Sequence, residues 1–417
     1  MKKVFIKTFG CRTNLFDTQV MLSHLDNFVI TEDEDSADVV VINSCTVTNG
    51  ADSSVRSYVN HINKVQPDTK IFLTGCGAHT KGEALFDSEK IFGVFGQSEK
   101  KKIDDLLQAK DRFYELGDLE FVDDAVVEEF VGKSRAFIKV QEGCNFRCNY
   151  CIIPYVRGDA RNLNEELILE QITKLAANGF GEFILTGTNV GSYGTKAEGT
   201  SMAKLLKRIS LIRGVRRIRL GSIEPIQVTD EFKEILGEPW MAKHLHVALQ
   251  HTSDDMLRMM NRRNRLKTDL ELFEELSEAG YALGTDFIVG HPGESQKIWD
   301  EAYENLTKFP LTHVHAFSYS KRDGTPSATM KPEVSGALAK ERLKILTTLI
   351  DKNNYEFRQK HHDDILDVLI ESTKGEYYYG LDQYFNPIYI KSDEDLEGNW
   401  VELKASDIKE EGNYGRF

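Results

Sequence analysis

Six cysteines are the residues of this sequence best suited to chemistry, and three of them lie in one short segment. Cys144, Cys148 and Cys151 occur in EGCNFRCNYCIIPYVRG with the spacing C-x3-C-x2-C. A structural zinc site needs four ligands, usually in two pairs, so three thiols in one loop fit zinc poorly. A [4Fe-4S] cluster takes one sulfur ligand per iron, so three thiolates leave one iron open to a small molecule. The spacing therefore favours an iron–sulfur cluster that can react.

The other three cysteines each stand at the end of a predicted strand. Cys11 follows VFIKTFG, Cys45 follows VVVINS and Cys76 follows IFLTG. In an open parallel sheet the carboxyl ends of the strands form one edge, and ligands bind there. We therefore predict a second shared site, because buried cysteines with no common role would more naturally lie in the middle of strands.

Length and composition are typical of a multidomain globular protein. The chain has 417 residues, of which 41% are hydrophobic and 28% charged, and this length predicts two or three domains. The sequence contains no signal peptide and no apolar run long enough to span a bilayer, so we expect a cytoplasmic protein without a membrane partner. Disulfides are rare in that compartment, which favours metal or cluster ligation for the cysteines.

The distribution of charge is uneven. A net charge of −14 argues weakly against non-specific nucleic-acid binding. Two basic clusters, RGVRRIR at 213–219 and NRRNRLK at 261–267, could follow a phosphate backbone or could be solvated faces. From Lys360 to the end the chain has fourteen acidic and six basic side chains, which is unusual for an RNA-binding domain.

Hydrophobic patterning divides the chain into three predicted domains. Residues 1–132 alternate buried strands with helices and predict an α/β domain with a doubly wound parallel sheet. Residues 133–358 contain six strands, each followed by a helix or loop, which is typical of a partial (β/α)6 barrel. Residues 359–417 contain short strands separated by turn residues and predict a small β-barrel.

Ten sequence motifs make the chain resemble the radical S-adenosylmethionine methylthiotransferases along nearly its whole length. In order they are FGCRTN, INSCTVTNGAD, LTGCGAH, QEGCNFRCNYCIIPYVRG, LTGTNVGSYG, RLGSIEP, LHVALQ, MNRR, DFIVGHPGE and SYSKRDGTP. This family has an N-terminal domain with an auxiliary [4Fe-4S] cluster, a radical barrel and a C-terminal TRAM β-barrel. The resemblance implies that the N-terminal cysteines bind the auxiliary cluster and that the three-cysteine loop binds the radical cluster.

The same resemblance implies two uses of S-adenosylmethionine. One molecule gives its methyl group to sulfur on the auxiliary cluster, and the other yields a 5′-deoxyadenosyl radical that activates a C–H bond of the substrate. An unactivated aromatic C–H bond has no acidic proton and no leaving group, so acid–base catalysis has little to act on. An electron donor such as flavodoxin or ferredoxin and a sulfur donor are the implied partners.

Polar residues at the ends of barrel strands are the candidates for binding S-adenosylmethionine. They are Tyr150, which could pack on the adenine, Gly187, Thr188, Asn189, Ser222, Glu224 and Gln250. Arg157 and Arg161 could contact the nucleotide substrate or a cluster sulfide, with surface salt bridges as the alternative. Arg262 and Arg263 are further candidates for contact with the substrate. Gln250-His251-Thr252 stands where the family often has QSG.

The substrate is implied by one motif. INSCTVTNGADSSVR resembles the branch of the family that methylthiolates C2 of N6-threonylcarbamoyladenosine beside the tRNA anticodon, which makes the anticodon loop the implied partner. The alternatives within the family are isopentenyladenosine in tRNA and an aspartate of a ribosomal protein, and the acidic C-terminal region would suit the latter. A non-enzymatic iron–sulfur protein is the alternative of a different class, although an electron carrier needs no S-adenosylmethionine pocket.

Overall fold

The structure of the protein is a computed structural model that describes residues 1–128, 130, 134–194 and 199–417. Within these ranges no helix is both long enough and apolar enough to cross a membrane. The predicted boundary between residues 132 and 133 lies outside the described residues.

The N-terminal region contains one parallel sheet in the strand order β2-β1-β3-β4-β5-β6. Its order reverses between β1 and β3, which makes the carboxyl ends of these two strands a topological switch point where ligands bind. The strands are β1 Lys2–Thr8, β2 Phe28–Ile30, β3 Val39–Ser44, β4 Lys70–Gly75, β5 Gly93–Phe95 and β6 Phe113–Glu115, and the helices are α1 Arg12–Leu22, α2 Asn49–Val65, α3 Ala78–Asp87 and α4 Ile103–Leu107.

Local sequence accounts for most of these elements. The strand β3 is buried along its whole length, which explains its unbroken apolar run. The helix α2 begins where the Thr48 side chain accepts a hydrogen bond from the Ala51 backbone N–H. The short strands β2 and β6 were not predicted, and the expected fourth helix is divided into a 3-10 turn over Gln97–Lys102 and the short α4.

The central region is a six-stranded parallel barrel that is open on one side. Strands β7, β9 and β10 pair in chain order, as do β11, β12 and β13, and isolated bridges join Ile218 to Met241 and Ile223 to Val247. The elements are β7 Ala136–Glu142, α5 Ile153–Arg157, β8 Arg161–Asn162, α6 Glu165–Ala177, β9 Glu182–Gly187, α7 Met202–Ser210, β10 Arg217–Leu220, α8 Asp230–Lys233, β11 His244–His246, α9 Asp254–Met259, α10 Leu266–Glu278, β12 Ala282–Val289, α11 Gln296–Leu306, β13 Leu311–Ser318 and α12 Gly336–Lys360.

The C-terminal region is a curled six-stranded sheet that forms a half-barrel in the order β17-β14-β15-β16-β19-β18. The strands are β14 Leu366–Lys374, β15 Tyr377–Leu381, β16 Pro387–Lys391, β17 Trp400–Leu403, β18 Asp407–Lys409 and β19 Gly412–Arg416. The predicted α/β fold with an appended small β-domain is therefore confirmed. The predicted boundary at 358/359 falls in the last turn of α12.

A buried carboxylate organises the attachment of the half-barrel to the central barrel. Glu182 pairs with Arg135 and Arg219 at 3.1 Å each and with Arg217 at 2.5 Å. These arginines reach across to the C-terminal region, where Arg217 donates to the Asp367 carbonyl at 2.8 Å and Arg219 donates to the Asp382 carbonyl at 2.5 Å.

The basic cluster at 213–219 therefore serves mostly to join the central barrel to the half-barrel. Arg217 and Arg219 are buried, and Arg216 pairs with Asp367 at 2.6 Å and Glu402 at 2.9 Å. Arg217 and Arg219 therefore form neither a phosphate track nor a solvated face, whereas Arg216 is exposed but paired.

Candidate active site

The N-terminal thiols, Cys11, Cys45 and Cys76, lie at the carboxyl ends of the three adjacent strands β1, β3 and β4. The Cys76 N–H donates to the Ser44 carbonyl at 3.0 Å, which sets the loops after β3 and β4 side by side. Gly10 has a φ of +99°, and a Cβ there would lie 2.8 Å from Cys45 Sγ, so the loop after β1 passes against this thiol. The structure thus brings together three free thiols that are far apart in sequence.

Burial raises the pKa of the Cys45 thiol to about 12, and the neighbouring thiols of Cys76 and Cys11 act in the same direction. Burial also raises the pKa of Cys76. Three thiolates packed together would repel one another, so ionisation requires a positively charged group among them. This donor set fits an iron–sulfur cluster, which is held by thiolates.

Arg157 crosses from the central barrel to the N-terminal thiols. It is 1% exposed, and its Nε donates to Cys76 Sγ at 3.1 Å. Its guanidinium also donates to Asn14 Oδ1 at 2.6 Å, to Asp17 Oδ2 at 2.9 Å and to Glu142. The side chain is therefore positioned to neutralise sulfur-borne charge and to fix the thiol site against the barrel.

A network of six buried charged groups surrounds this crossing. Its three acids and three bases are Asp17, Asp123, Glu142, Lys100, Lys139 and Arg157. Burial alone would raise the pKa of Asp17, but the cations, Lys100 first, lower it well below its ordinary value. The network is neutral as a whole, which is the condition under which buried charges are tolerated.

The three-cysteine loop follows β7 and lies at the mouth of the barrel. The Phe146 N–H donates to Cys144 Sγ at 3.4 Å, and Asn189 Nδ2 donates to the same sulfur at 3.6 Å. Burial raises the pKa of Cys151 to about 12, and the adjacent Cys148 acts in the same direction. Three free thiols with N–H donors directed at sulfur suit a thiolate-bound [4Fe-4S] cluster with one open iron.

A cavity of about 180 Å³, here called the cofactor cavity, adjoins the three-cysteine loop. Its lining includes all three cysteines of the loop and six of the seven predicted cofactor residues, Tyr150, Thr188, Asn189, Ser222, Glu224 and Gln250. Gly187 lies outside this lining, where a Cβ would come within 2.7 Å of the Gln141 carbonyl oxygen. All of the predicted cofactor residues except Gly187 thus lie together, as their positions at the ends of barrel strands predict.

Glu224 and Arg262 form an ion pair inside the cofactor cavity. The two nitrogens of the Arg262 guanidinium lie 2.7 and 2.5 Å from the two carboxylate oxygens of Glu224. Arg262 Nη1 also lies 3.9 Å from Cys148 Sγ. The basic cluster at 261–267 therefore does not act as one surface, since Arg262 is buried while Arg263 is exposed over the Phe146 ring at 4.4 Å.

Arg161 is the first residue of β8 and follows the loop after α5. It is partly buried and donates to the backbone carbonyls of Phe121, Arg157 and Asp159 at 2.5, 2.7 and 3.0 Å. These bonds tie the loop after α5 to the segment that connects the first two domains.

Gln250 occupies a left-handed backbone conformation with a φ of +67°, which residues other than glycine rarely adopt. Its N–H donates to the Asp286 carbonyl at 2.9 Å, and this bond holds it at the cavity wall. His251 and Thr252, which stand in place of the Ser-Gly of the family's QSG, have structural roles. His251 lies 3.2 Å from Glu294, and Thr252 donates to the Ala302 carbonyl at 2.6 Å. Both side chains are buried.

A second cavity, of about 360 Å³ and here called the reaction chamber, connects the two thiol sites. Cys11 lines one side and Cys151 another, together with Tyr150, Gly187 and Thr188. Asp286 lines both the reaction chamber and the cofactor cavity. Sequence reasoning missed Asp286, although a carboxylate inside the buried run TDFIVG was a signal for it.

Two family descriptions match this chain. Residues 3–96 match "Uncharacterized protein family UPF0004", and residues 138–306 match "Radical SAM superfamily". The radical methyltransferase TsrM from Kitasatospora setae has a similar structure, with a TM-score of 0.61 at 15% identity over 79% of this chain and 77% of that chain. At that identity the likeness concerns the fold alone.

Full-length relatives narrow the comparison. A protein of Helicobacter pylori strain J99 named "Putative methylthiotransferase" is 52% identical, with both chains covered completely. The Bacillus subtilis strain 168 threonylcarbamoyladenosine tRNA methylthiotransferase MtaB is 32% identical over 100% of this chain and 96% of its own. A tRNA-2-methylthio-N(6)-dimethylallyladenosine synthase of Lachnoclostridium phytofermentans is 30% identical over 97% and 93%. Sequence identity to this chain therefore hardly distinguishes the last two relatives, which have different tRNA nucleosides in their names.

Proposed function

The chain belongs to the radical S-adenosylmethionine methylthiotransferases, and we propose that it methylthiolates C2 of N6-threonylcarbamoyladenosine in tRNA, beside the anticodon. Two [4Fe-4S] clusters, two molecules of S-adenosylmethionine, an electron donor and a sulfur donor belong to this proposal. The domains we assign are residues 1–132 for sulfur supply, 133–358 for radical chemistry and 359–417 for substrate binding.

The reaction chamber is the observation that carries the proposal. A methylthio transfer needs a sulfur source and a radical source that act on one substrate atom. In this chain Cys11 from the N-terminal thiols and Cys151 from the three-cysteine loop line the same cavity. A protein that only stored or relayed electrons would have no need of a substrate-sized cavity between the two thiol sites.

The residues that we assign to the cofactors act by binding and orientation. The N-terminal thiols would hold the auxiliary cluster and the three-cysteine loop the radical cluster, while the polar lining of the cofactor cavity would hold S-adenosylmethionine. When bound, these groups supply the electron, the radical and the sulfur. The chain itself directs the N–H groups of Asn189 and Arg262 towards the sulfurs.

An aromatic and basic surface of the half-barrel supports an RNA substrate. Tyrosine rings on neighbouring strands pack together, with ring centroids of Tyr389 and Tyr414 5.0 Å apart. Lysine amines lie over these and adjacent rings, at 3.1 Å for Lys374 on Tyr379 and 4.1 Å for Lys409 on Tyr414. Bases stack on such rings while the amines meet phosphates.

Part of the acidity of the C-terminal region is used inside the molecule. Among the described residues, three of its fourteen acidic side chains pair with arginines of the central barrel: Glu371 with Arg135 at 2.5 Å, and Asp367 and Glu402 with Arg216 at 2.6 and 2.9 Å. The acidity of this region is therefore a weaker argument for a ribosomal protein substrate than its total charge suggests.

Mass spectrometry of tRNA nucleosides from cells with and without the gene tests the proposal. Loss of the 2-methylthio form, with accumulation of N6-threonylcarbamoyladenosine, is the expected result. Restoration by the intact gene, but not by a Cys11→Ala variant, is the matched control. Unchanged methylthio nucleosides in the deletion strain would refute a tRNA substrate.

A further inference from the structure

A third cavity, of about 320 Å³, adjoins the reaction chamber where all three domains meet. Its lining includes Arg12 from the N-terminal region, His244, His313 and Asp286 from the barrel, and Phe385 from the half-barrel. Asp286 also lines the reaction chamber and the cofactor cavity, so the three spaces are neighbours. We refer to it as the third cavity below.

Arg12 is a cation of this cavity without a hydrogen-bonding or ion-pairing partner among the described residues, in contrast to Arg219 on the same lining. It follows Cys11 directly, and its guanidinium lies 5.7 Å from the Phe385 ring centroid. A partly buried guanidinium in this position gains free energy from an anionic ligand.

His244 lines the same cavity, but its Nε2 is buried and has almost no accessible surface. It is 8% exposed, and its Nε2 has no hydrogen-bond partner within the part of the chain that the structure describes. Gly284 leaves the space for it, because a Cβ there would lie 3.1 Å from this nitrogen. Burial lowers the pKa of His244 well below its ordinary value, so the ring is neutral and can donate one hydrogen bond or accept one.

The acidic groups of the cavity do not cancel this preference for an anion. Asp286 lies 3.1 Å from His246 and 3.5 Å from His315; burial would raise its pKa, but these imidazoles lower it. Asp351 and Glu411 are exposed, where water and salt screen them. Arg12 is the cation of this lining that has no carboxylate partner among the described residues.

We propose that the third cavity binds the substituent on N6 of the substrate adenosine and that Arg12 pairs with its carboxylate. This inference rests on the proposed function and deepens it. C2 and C6, which carries N6, flank N1 on the same edge of adenine, so C2 in the reaction chamber places the N6 substituent in an adjacent space. A threonylcarbamoyl group carries a carboxylate, which matches the guanidinium of Arg12.

The same groups would select against the apolar substituent found in the other tRNA branch. An isopentenyl group has no polar atom and would leave Arg12 without a partner. A site built to hydrogen-bond a substrate group rejects an analogue that lacks it far more strongly than an apolar pocket rejects an added hydroxyl. Arg12 is in this sense a residue that determines specificity.

The test compares an acid substrate with its amide. Reconstituted full-length enzyme is assayed anaerobically on an anticodon stem-loop RNA with threonylcarbamoyladenosine, and on the same RNA with the carboxylate replaced by a carboxamide. We expect the wild type to prefer the acid by about 30-fold or more in kcat/KM, which is typical of a buried charge pair that loses one partner. Arg12→Met should lose that preference, with acid and amide within about threefold, while Arg12→Lys should retain part of it.

Iron and sulfide content and 5′-deoxyadenosine formation report on folding and on the clusters in every variant. Arg213→Met, at an exposed arginine outside the three cavities, is the control and should leave the preference unchanged. An Arg12→Met enzyme with intact clusters that still prefers the acid would overturn the assignment of Arg12 but not the proposed function. A wild type that treats acid and amide alike would also overturn it, whatever the variant does. A wild type inactive on threonylcarbamoyl RNA but active on isopentenyl RNA would refute both proposals.

Discussion

Replacing Asp17 by asparagine should loosen the N-terminal domain from the barrel. Asp17 is fully buried and accepts hydrogen bonds from Lys100 at 2.9 Å, Lys139 at 2.7 Å and Arg157 at 2.9 Å. Asparagine would leave three buried cations with two carboxylates. Removing one partner of a buried ion pair costs about 3–5 kcal/mol, which moves the opening equilibrium by roughly 10²- to 10⁴-fold.

Hydrogen exchange is the suitable assay, because a chain of several domains does not unfold in one two-state step. Amides of α1 and β7, on the two sides of the network, should open at a free energy about 3–5 kcal/mol lower in the variant. Amides of β14 in the half-barrel should be unchanged. The matched control is Asp255→Asn, because Asp255 is 69% exposed and pairs with Arg258 at 2.8 Å, so its loss should cost no more than about 1 kcal/mol.

The pH dependence of the opening free energy of the same amides independently checks whether ionised Asp17 stabilises the fold. The pKa of Asp17 is lowered by its cations in spite of burial, so ionised Asp17 stabilises the fold above its unfolded pKa of about 3.9. That stabilisation is lost as the pH falls from there towards the folded pKa. The Asp17→Asn variant should lack this pH-dependent stabilisation. Adding Lys139→Met should restore neutrality and make the double variant more stable than the sum of its parts. An Asp17→Asn protein within about 1 kcal/mol of wild type would refute the reasoning.

Three further outcomes are expected. In an anaerobic assay Cys11→Ala should form 5′-deoxyadenosine but no methylthio product, whereas Cys148→Ala should form neither; methylthio product from the first variant would contradict the auxiliary site. Glu224→Gln should raise the KM for S-adenosylmethionine about tenfold, because a buried guanidinium loses its charged partner; an unchanged KM would place Glu224 outside the cofactor site. Burial alone would raise the pKa of Glu182, but its arginines lower it to about 2, so its stabilisation holds above about pH 4.3 and fades towards pH 2. Trp400 lies at this junction, with its ring centroid 4.5 Å from the Arg217 guanidinium. In a protein with Trp240 and Trp299 replaced by phenylalanine, its fluorescence should report this loss of docking with Glu182 present but not in Glu182→Gln, and equal acid profiles would contradict it.

The sequence was most informative where chemistry and strand order coincide. Each cysteine of the N-terminal thiols ends a strand of apolar, β-branched residues, and parallel strands leave little freedom in where their carboxyl ends lie. The polar residues at the ends of barrel strands meet for the same reason. Such predictions need only the type of each strand and its direction.

The sequence left the partners of charged residues open, because it does not distinguish a charged side chain that contacts water from one that contacts phosphate, sulfur or a carboxylate. Arg157 and Arg262 belong to motifs that could meet a substrate, yet both are buried against carboxylates and thiols of this chain. Their partners lie far away in sequence, with Asp17 140 residues from Arg157. Spacing along the chain carries no signal for such a pairing.

The basic cluster at 213–219 and the acidic C-terminal region illustrate the same point as a pair. Taken separately, the first indicated a nucleic-acid contact and the second argued against one. Glu182 gathers Arg217 and Arg219, and these arginines with Arg216 bind the half-barrel at Asp367 and Asp382. Some of the opposite charges on the two domains are thus paired in their docking, so the sequence of either domain alone overstates the charge offered to a substrate. Such pairs should be removed before net charge is used as an argument about partners.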